Sequence, residues 1–418
     1  MQLKTLLNRC YKLKSFVYQE PKFQRIEGVN AIVVPVKARK NSQPLCPECR
    51  RRASTYDHQP EDRLFRFVPL WGWSVYLQYR MRRVNCPRDG ILVESIPWAR
   101  GKSPVTHCLE LFLARWARRL SWQEVAQCFE VSWQMVFRAV RSVVDYGLER
   151  RSLEDIHSIG VDEIQYGKGH QYLTLVYQID AGARRLLSVT RDRSARSLLK
   201  FFRMLGPRRT ALIQFVCSDM WRPYLKVIAK KLPEALHVLD RFHIVANLNK
   251  ALNEIRASEA RHLRQNGFQE VLKHTKYCFL KRQENLTPNQ KSKLQEVLQY
   301  DLKSVRAYLL KQGFEMFWAY SSPHWAQWYL KKWCARAMRS RLEPIKKFVR
   351  SLRRHEPLIL NWFRAKKAIS SGVVEGLNRK VNLTTRKAYG FRSFEVLKIA
   401  LFHTMGELPE PEITHRFC

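Results

Sequence analysis

The stretch Ile156-His157-Ser158-Ile159-Gly160-Val161-Asp162-Glu163-Ile164-Gln165-Tyr166 decides how the chain is read. Ile159, Gly160 and Val161 have the character of a buried strand, yet they run into Asp162 and Glu163, two carboxylates that a sheet core has no use for. The pattern fits an acid held at a strand tip. Successive side chains of a strand point to opposite faces, so Asp162 is expected to be the working acid and Glu163 a bystander.

Downstream, strands are expected at Tyr172 to Ile179 and Arg185 to Thr190, followed by a helix over Ser194 to Leu205. A fourth strand, Ala211 to Val216, ends in Cys217-Ser218-Asp219; after a helix over Tyr224 to Leu232, a fifth, Ala235 to Leu239, ends in Asp240. Three hairpin-like strands followed by alternating helix and strand is the order of an RNase H-like fold, in which the first and fourth strands are neighbours. Asp162 and Asp219 would then meet at one end of the sheet.

From about 247 to 367 the chain is helical, basic and aromatic, with Thr287 and Pro288 opening a new helix. Trp318, Trp325, Trp328 and Trp333 read as core ahead of base-stacking platforms. Beyond this insertion, Glu375, Asn378, Arg379 and Asn382 share one helix face. Arg379, Lys380, Arg386 and Lys387 make that face and its extension through Tyr389-Gly390-Phe391-Arg392 a basic strip suited to phosphates.

Upstream, Cys46-Pro47-Glu48-Cys49 is a knuckle that aims two thiolates at one tetrahedral ion, and Asn85-Cys86-Pro87-Arg88-Asp89-Gly90 supplies a second. Asp89 stands where a zinc ribbon has its fourth cysteine, and His58 is the other possible fourth donor. From Thr106 the apolar period becomes helical. Ser121 with Glu124 forms a capping box, and a turn at Phe129-Glu130-Val131 leads to a third helix from Ser132 through Val144. That spacing, with Gln134, Arg138 and Arg141 on the third helix, is expected for a helix-turn-helix.

The charge identifies the class of partner. There are 75 Lys and Arg against 36 Asp and Glu, a formal +39, which is the footprint of a polyanion ligand. The basic residues are not gathered on one amphipathic helix, which disfavours a membrane surface. No run of about 18 apolar residues is present, so a cytoplasmic, nucleoid-associated protein is expected. Ten cysteines in such a compartment do not read as a disulfide framework.

A strand-tip Asp, a second Asp after the fourth strand and a Glu on a late helix are what two-metal phosphoryl chemistry requires. Hard cations such as Mg2+ or Mn2+ prefer oxygen ligands; one activates the attacking oxygen and the other stabilises the leaving one. Several strings then resemble bacterial insertion-sequence transposases of the DDE type, within them the ISL-three family. They are CPEC with the later NCP, IPWARGK, GVDEIQYGKGHQYLTLVYQID, CSDMWRPY, LDRFHI, KRQENLT, SSGVVEGLNRK, TTRKAYGFR and LPEPEITHRFC.

The resemblance implies a multidomain α/β protein: a zinc-binding region over 1–100, a helix-turn-helix over 101–150 and an RNase H-like core over 151–246. An all-helical insertion over 247–367 and the rest of the core over 368–418 would follow. By position, the catalytic triad holding two Mg2+ ions would be Asp162, Asp219 and Glu375. Asp240 is the rival second acid, and His243 would orient the site or contact DNA. The implied activity is binding of terminal inverted repeats, cleavage there and transfer to target DNA by a homodimer or higher multimer. The alternatives are a nuclease that cuts without joining and a catalytically silent DNA-binding remnant or repressor.

Overall fold

The structure, a computed structural model, describes residues 3–167, 169, 171–365, 371–388, 390–391 and 393–412. Lys168, His170, Ser370, Tyr389, Arg392 and the tail beyond 412, which the sequence strings include, lie outside the described residues. The chain divides into two compact units, one running through Ser152 and resuming at Val381, the other spanning Leu153–Lys380.

The first unit opens with helix α1 (Leu3–Cys10) and strands β1 (Phe16–Tyr18), β2 (Lys22–Ile26), β3 (Val29–Ala38) and β4 (Ser54–His58). It continues with β5 (Arg63–Leu70), β6 (Trp73–Tyr79), β7 (Arg82–Cys86) and β8 (Gly90–Val93). One sheet has the order β1-β3-β6-β5 with β2 on the flank of β3, and a second has the order β4-β7-β8. The larger sheet is built around Trp98, which is fully buried with its ring edge-on to Phe16 at 4.9 Å, Tyr79 at 5.4 Å and Phe65 at 5.9 Å. At the start of β7 the buried Arg82 guanidinium clamps Glu94, with bonds of 2.7 and 3.0 Å, and donates to the Ser42 carbonyl at 2.6 Å. Tyr79 donates to the same carboxylate at 2.7 Å, so the buried charges are paired and their hydrogen bonds satisfied.

Three helices follow, α2 (His107–Arg119), α3 (Trp122–Cys128) and α4 (Trp133–Arg150). Each begins where a hydroxyl satisfies orphan backbone N–H groups: Thr106 accepts from Leu109, Ser121 closes a capping box with Glu124, and Ser132 accepts from Met135. The last helix runs six residues beyond the expected end at Val144. Gly147 lets the chain at Leu408 pack closely against this extension, because a Cβ there would lie 2.6 Å from Leu408 Cβ. Gln134, Arg138 and Arg141 are exposed on α4, Arg141 being paired with Asp145 at 3.5 Å.

The second unit begins with β9 (Ser158–Gly167), β10 (Gln171–Gln178) and β11 (Leu186–Arg191), then α5 (Ala195–Leu205) and the helical turn α6 (Pro207–Thr210). Next come β12 (Phe215–Ser218), α7 (Arg222–Lys231), β13 (Leu236–Leu239) and α8 (Arg241–Gln265). The fourth strand thus starts at Phe215 and not at Ala211. Gly206, at φ +82°, turns the chain, and Pro207 is pre-set for a helical first turn, so residues 207–210 coil instead of extending. The sheet order is β11-β10-β9-β12-β13, with antiparallel pairs on the β10 side of β9 and parallel pairs on the β12 side.

The long α8 passes unbroken through residue 246 into a helical body of α9 (Lys276–Leu280), α10 (Pro288–Leu298), α11 (Lys303–Glu315), α12 (Pro323–Met338), α13 (Glu343–Arg354) and α14 (Glu356–Arg364). Trp318 and Trp333 are buried in its core, whereas Trp325 and Trp328 are exposed on α12. Helix α15 (Ser371–Lys387) carries the chain out of the second unit between Lys380 and Val381, and α16 (Phe394–Met405) belongs to the first. The 368–418 segment is therefore split between the units. Among the described residues, no helix is long and apolar enough to cross a membrane.

Two buried histidines make stability pH-dependent. Burial lowers the His237 imidazole to about 4, and burial with the nearby Arg118 and Lys387 charges lowers His403 to about 3. Both rings are neutral when folded, while the unfolded chain takes up a proton at each below about pH 6.5. Their contribution is present above that pH and is lost as pH falls toward 4. The melting temperature should drop between pH 7 and pH 5, and His403→Leu should flatten the slope; an unaltered slope would remove His403 from the account.

Candidate active site

Register assembles the site. The parallel pairings align Val161 with Ser218, and Ser218 with Leu239. The next residues, Asp162, Asp219 and Asp240, therefore lie side by side. Asp219 and Asp240 directly follow β12 and β13, whereas Asp162 is not at a strand tip as expected but midway along β9, where the pairing with β12 ends while that with β10 continues. All three are buried, at 4%, 8% and 5% exposure. Each carboxylate accepts a local backbone N–H: Asp162 from Glu163 at 2.7 Å, Asp219 from Trp221 at 3.0 Å, and Asp240, the N-cap of α8, from Phe242 at 2.7 Å.

Cations come from two directions. His243 Nε2 lies 3.5 Å from Asp162 Oδ1 and 3.8 Å from Asp240 Oδ2. Burial alone would lower this imidazole, but the hydrogen bond to Asp162 and the charges of Asp162, Asp240 and Asp219 prevail and raise it to about 9. Arg193 forms an ion pair with Glu163, lies 3.7 Å from Asp219, and stacks 3.9 Å over the Trp221 ring. Burial raises the Asp219 carboxyl above its ordinary value. Burial and the Asp219 charge raise Glu163 to about 7.

Glu163 has a partner near the acid cluster. It does occupy the alternate position on β9, but Arg193 ties it to the same acid cluster. Nothing in the local sequence distinguishes Arg193 from the other basic residues, so this link was not legible there.

The late helix also reaches the acid cluster. It is Asn378 whose side-chain amide donates to Asp162 Oδ2. Glu375, one turn earlier, is part-exposed and paired with Arg379 at 2.6 Å. Arg379, Lys380, Arg386 and Lys387 are exposed, and Lys387 donates to the Arg118 carbonyl at 3.3 Å.

A second cluster lies in the first unit. Cys46, Cys49, Cys86 and Asp89 place one ligand atom each within 4.8 Å of all the others. Cys49 and Cys86 sulfurs are 3.5 Å apart, and Asp89 Oδ2 is 3.2 Å from the Cys46 sulfur and 3.3 Å from that of Cys86. Asp89 is therefore the fourth member, while His58 is exposed on β4 and outside the group. It is the only group of three or more such donors at that spacing among the described residues; the aspartate cluster is looser.

The model of a transposase family of the ISL3 group matches residues 159–401, more than half of the chain. The chain belongs to the ISL3 family of insertion-sequence transposases. A second model, the zinc-finger of transposase IS204/IS1001/IS1096/IS1165, matches residues 42–89. This ISL3 chain is 29% identical over 422 residues to the transposase for insertion sequence element IS1557 of Mycobacterium tuberculosis, covering 95% of the chain and 94% of the relative. It is 27% identical over 354 residues to the transposase for insertion sequence element IS1001 of Bordetella parapertussis, covering 84% and 86%. The family match spans Asp162, Asp219, Asp240 and Glu375, and the zinc-finger match contains all four residues of the cysteine cluster.

Removing Arg193 leaves Glu163 and Asp219 facing each other without their shared cation. Arg193→Ala should destabilise the ISL3 chain by about 2 kcal/mol in denaturant unfolding, and Glu163→Gln in that background should recover most of the loss. Full stability of the single variant would show that the pair contributes nothing.

Proposed function

We propose that the chain binds the terminal inverted repeats of its insertion sequence, cuts the DNA there and joins the freed 3′ ends to target DNA. The observation that carries this reading is the in-register row of Asp162, Asp219 and Asp240 on three neighbouring strands in a chain of this family. The strand order and the crossing from β11 to β12 support an RNase H-like core interrupted by the helical body.

The donor set suits hard divalent ions. Buried carboxylates side by side, with His243 and Arg193 as their cationic neighbours, form an all-oxygen set of the kind Mg2+ or Mn2+ takes. Asp162, Asp219 and Glu375 would hold two ions, with the Glu375–Arg379 pair giving way to metal. The ions would supply an activated attacking oxygen and stabilisation of the leaving 3′ oxygen. Asp162 and Asp219, fixed by their neighbouring strands, would set where those ions meet the reacting phosphate. Asp240 caps α8 and orients His243, which faces the scissile strand; Asp240 is the alternative second ligand.

The three thiols and Asp89 suit a structural Zn2+, since a tetrahedral ion with Zn–S bonds of about 2.3 Å has sulfurs about 3.8 Å apart. Helices α2 to α4 are read as a helix-turn-helix in which Gln134, Arg138 and Arg141 face base edges. Arg379, Lys380, Arg386 and Lys387 bind phosphates. Joining two ends at once requires at least a homodimer on DNA.

Asp162→Asn, Asp219→Asn and Glu375→Gln should each reduce Mg2+-dependent cleavage of DNA carrying the flanking ends by more than about 1000-fold while leaving gel-shift binding intact. An active Asp219→Asn with a dead Asp240→Asn would reassign the second ligand. Cleaved but never joined products would favour the nuclease reading. Elemental analysis should find one zinc per chain, retained in His58→Ala and lost or weakened in Asp89→Ala, with the melting temperature falling when a strong chelator removes it.

A further inference from the structure

Asp162 has two oxygens with different surroundings. Oδ1 accepts the Glu163 N–H and faces His243, whereas Oδ2 takes the side-chain amide of Asn378. Asn378 is itself held, because its Oδ1 accepts the Tyr177 hydroxyl at 2.8 Å. Tyr177 is fully buried on β10, the strand paired with β9, opposite Gly160 and two positions from the Leu175–Asp162 pair. Burial, followed by the Asp162 charge, keeps its proton on the phenol well beyond the ordinary range.

We propose that Tyr177 and Asn378 are positioning residues that, by pinning Oδ2, lock the Asp162 carboxylate in one rotation for binding a divalent cation. The proposal rests on the reading of Asp162 as a metal ligand.

The locking follows from donor and acceptor counts. An asparagine amide can be flipped with little change in shape, and only its partners decide which end faces where. With the flip reversed, the amide oxygen would point at a buried carboxylate and the Tyr177 proton would lose its acceptor. Both penalties act in the same direction, so one orientation is selected. With Oδ1 held by the Glu163 N–H, tethering Oδ2 removes the remaining rotational freedom of the carboxylate before an ion arrives, and that ordering no longer opposes binding.

The backbone is adapted to this arrangement. A Cβ on Gly160 would lie 2.6 Å from Val374 Cγ2, so the absence of a side chain there lets α15 approach the sheet closely enough for Asn378 to reach Asp162. Neither the amide nor the phenol touches a reacting atom in this account. They act through Asp162.

The test uses zinc-loaded full-length protein without DNA, titrated with Mn2+ and followed by electron paramagnetic resonance. Asp162→Ala identifies the signal of this site. Asn378→Ala should weaken Mn2+ about tenfold and Tyr177→Phe about threefold, since loss of hydrogen bonds to metal ligands costs roughly 10- to 100-fold in affinity. The double variant should match Asn378→Ala, because the phenol acts through the amide. In cleavage assays the Mg2+ concentration for half-maximal rate should rise by similar factors, with the rate largely restored at saturating Mg2+. Tyr177→Phe preserves shape and decides the matter if Asn378→Ala fails to fold. Unchanged Mn2+ affinity in Tyr177→Phe, or a lower melting temperature with unchanged metal dependence, overturns the proposal. A fully active Asp162→Asn would instead overturn the underlying reading of the site.

Discussion

Parallel pairing of β9 with β12, and of β12 with β13, in a register that aligns Val161, Ser218 and Leu239, is the constraint on which the site depends. Hydrogen bonds between parallel strands are spaced so that a slip would carry every side chain to a wrong neighbour or a wrong face. The apolar core residues Ile159, Val161 and Val216 oppose such a slip, because they must stay in the cluster with Leu198, Phe201 and Tyr224. The carboxylates inherit their alignment from that packing. The core places them where two or more acids crowd together, a position they would not adopt for stability alone.

The location on the sheet has its own cause. From β9 the chain turns to β10 and β11 on one side, then crosses through α5 and α6 to β12 on the other. The strand order reverses at β9, and the crevice beyond the carboxyl ends of strands at such a reversal is where open α/β sheets bind their ligands. Helices α7 and α8 start directly after Asp219 and Asp240, and the N–H groups of Trp221 and Phe242 at those starts donate to the two carboxylates.

Crowded, buried carboxylates in a chain of formal charge +39 need local solutions, since the overall charge is screened over about 8 to 10 Å at physiological salt. Three backbone N–H groups, Asn378, His243 and Arg193 provide them. Apolar residues of the helical insertion also pack around Val238 and Leu239, and Asn361 donates to the His237 carbonyl at 2.8 Å. The insertion therefore supports the strand that ends at Asp240.

Much of this was legible in sequence because it is local. Cap residues, strand and helix periodicity, the paired knuckles and acids placed directly after apolar strands each announce themselves within a few positions. That is why Asp162, Asp219 and Asp240, the capped helices and the Cys46, Cys49 and Cys86 set could be named from the chain alone. Tertiary structure decided what depends on neighbours distant in sequence. It selected Asp89 over His58 beside the thiols, set Asp219 and Asp240 next to each other on neighbouring strands, and tied Glu163 to Asp219 through Arg193. It also placed Asn378 against Asp162, 216 positions away, a contact created by packing α15 over Gly160. Residue type and spacing encode which chemistry is available, whereas the orientation of a side chain is set by whatever the fold packs against it.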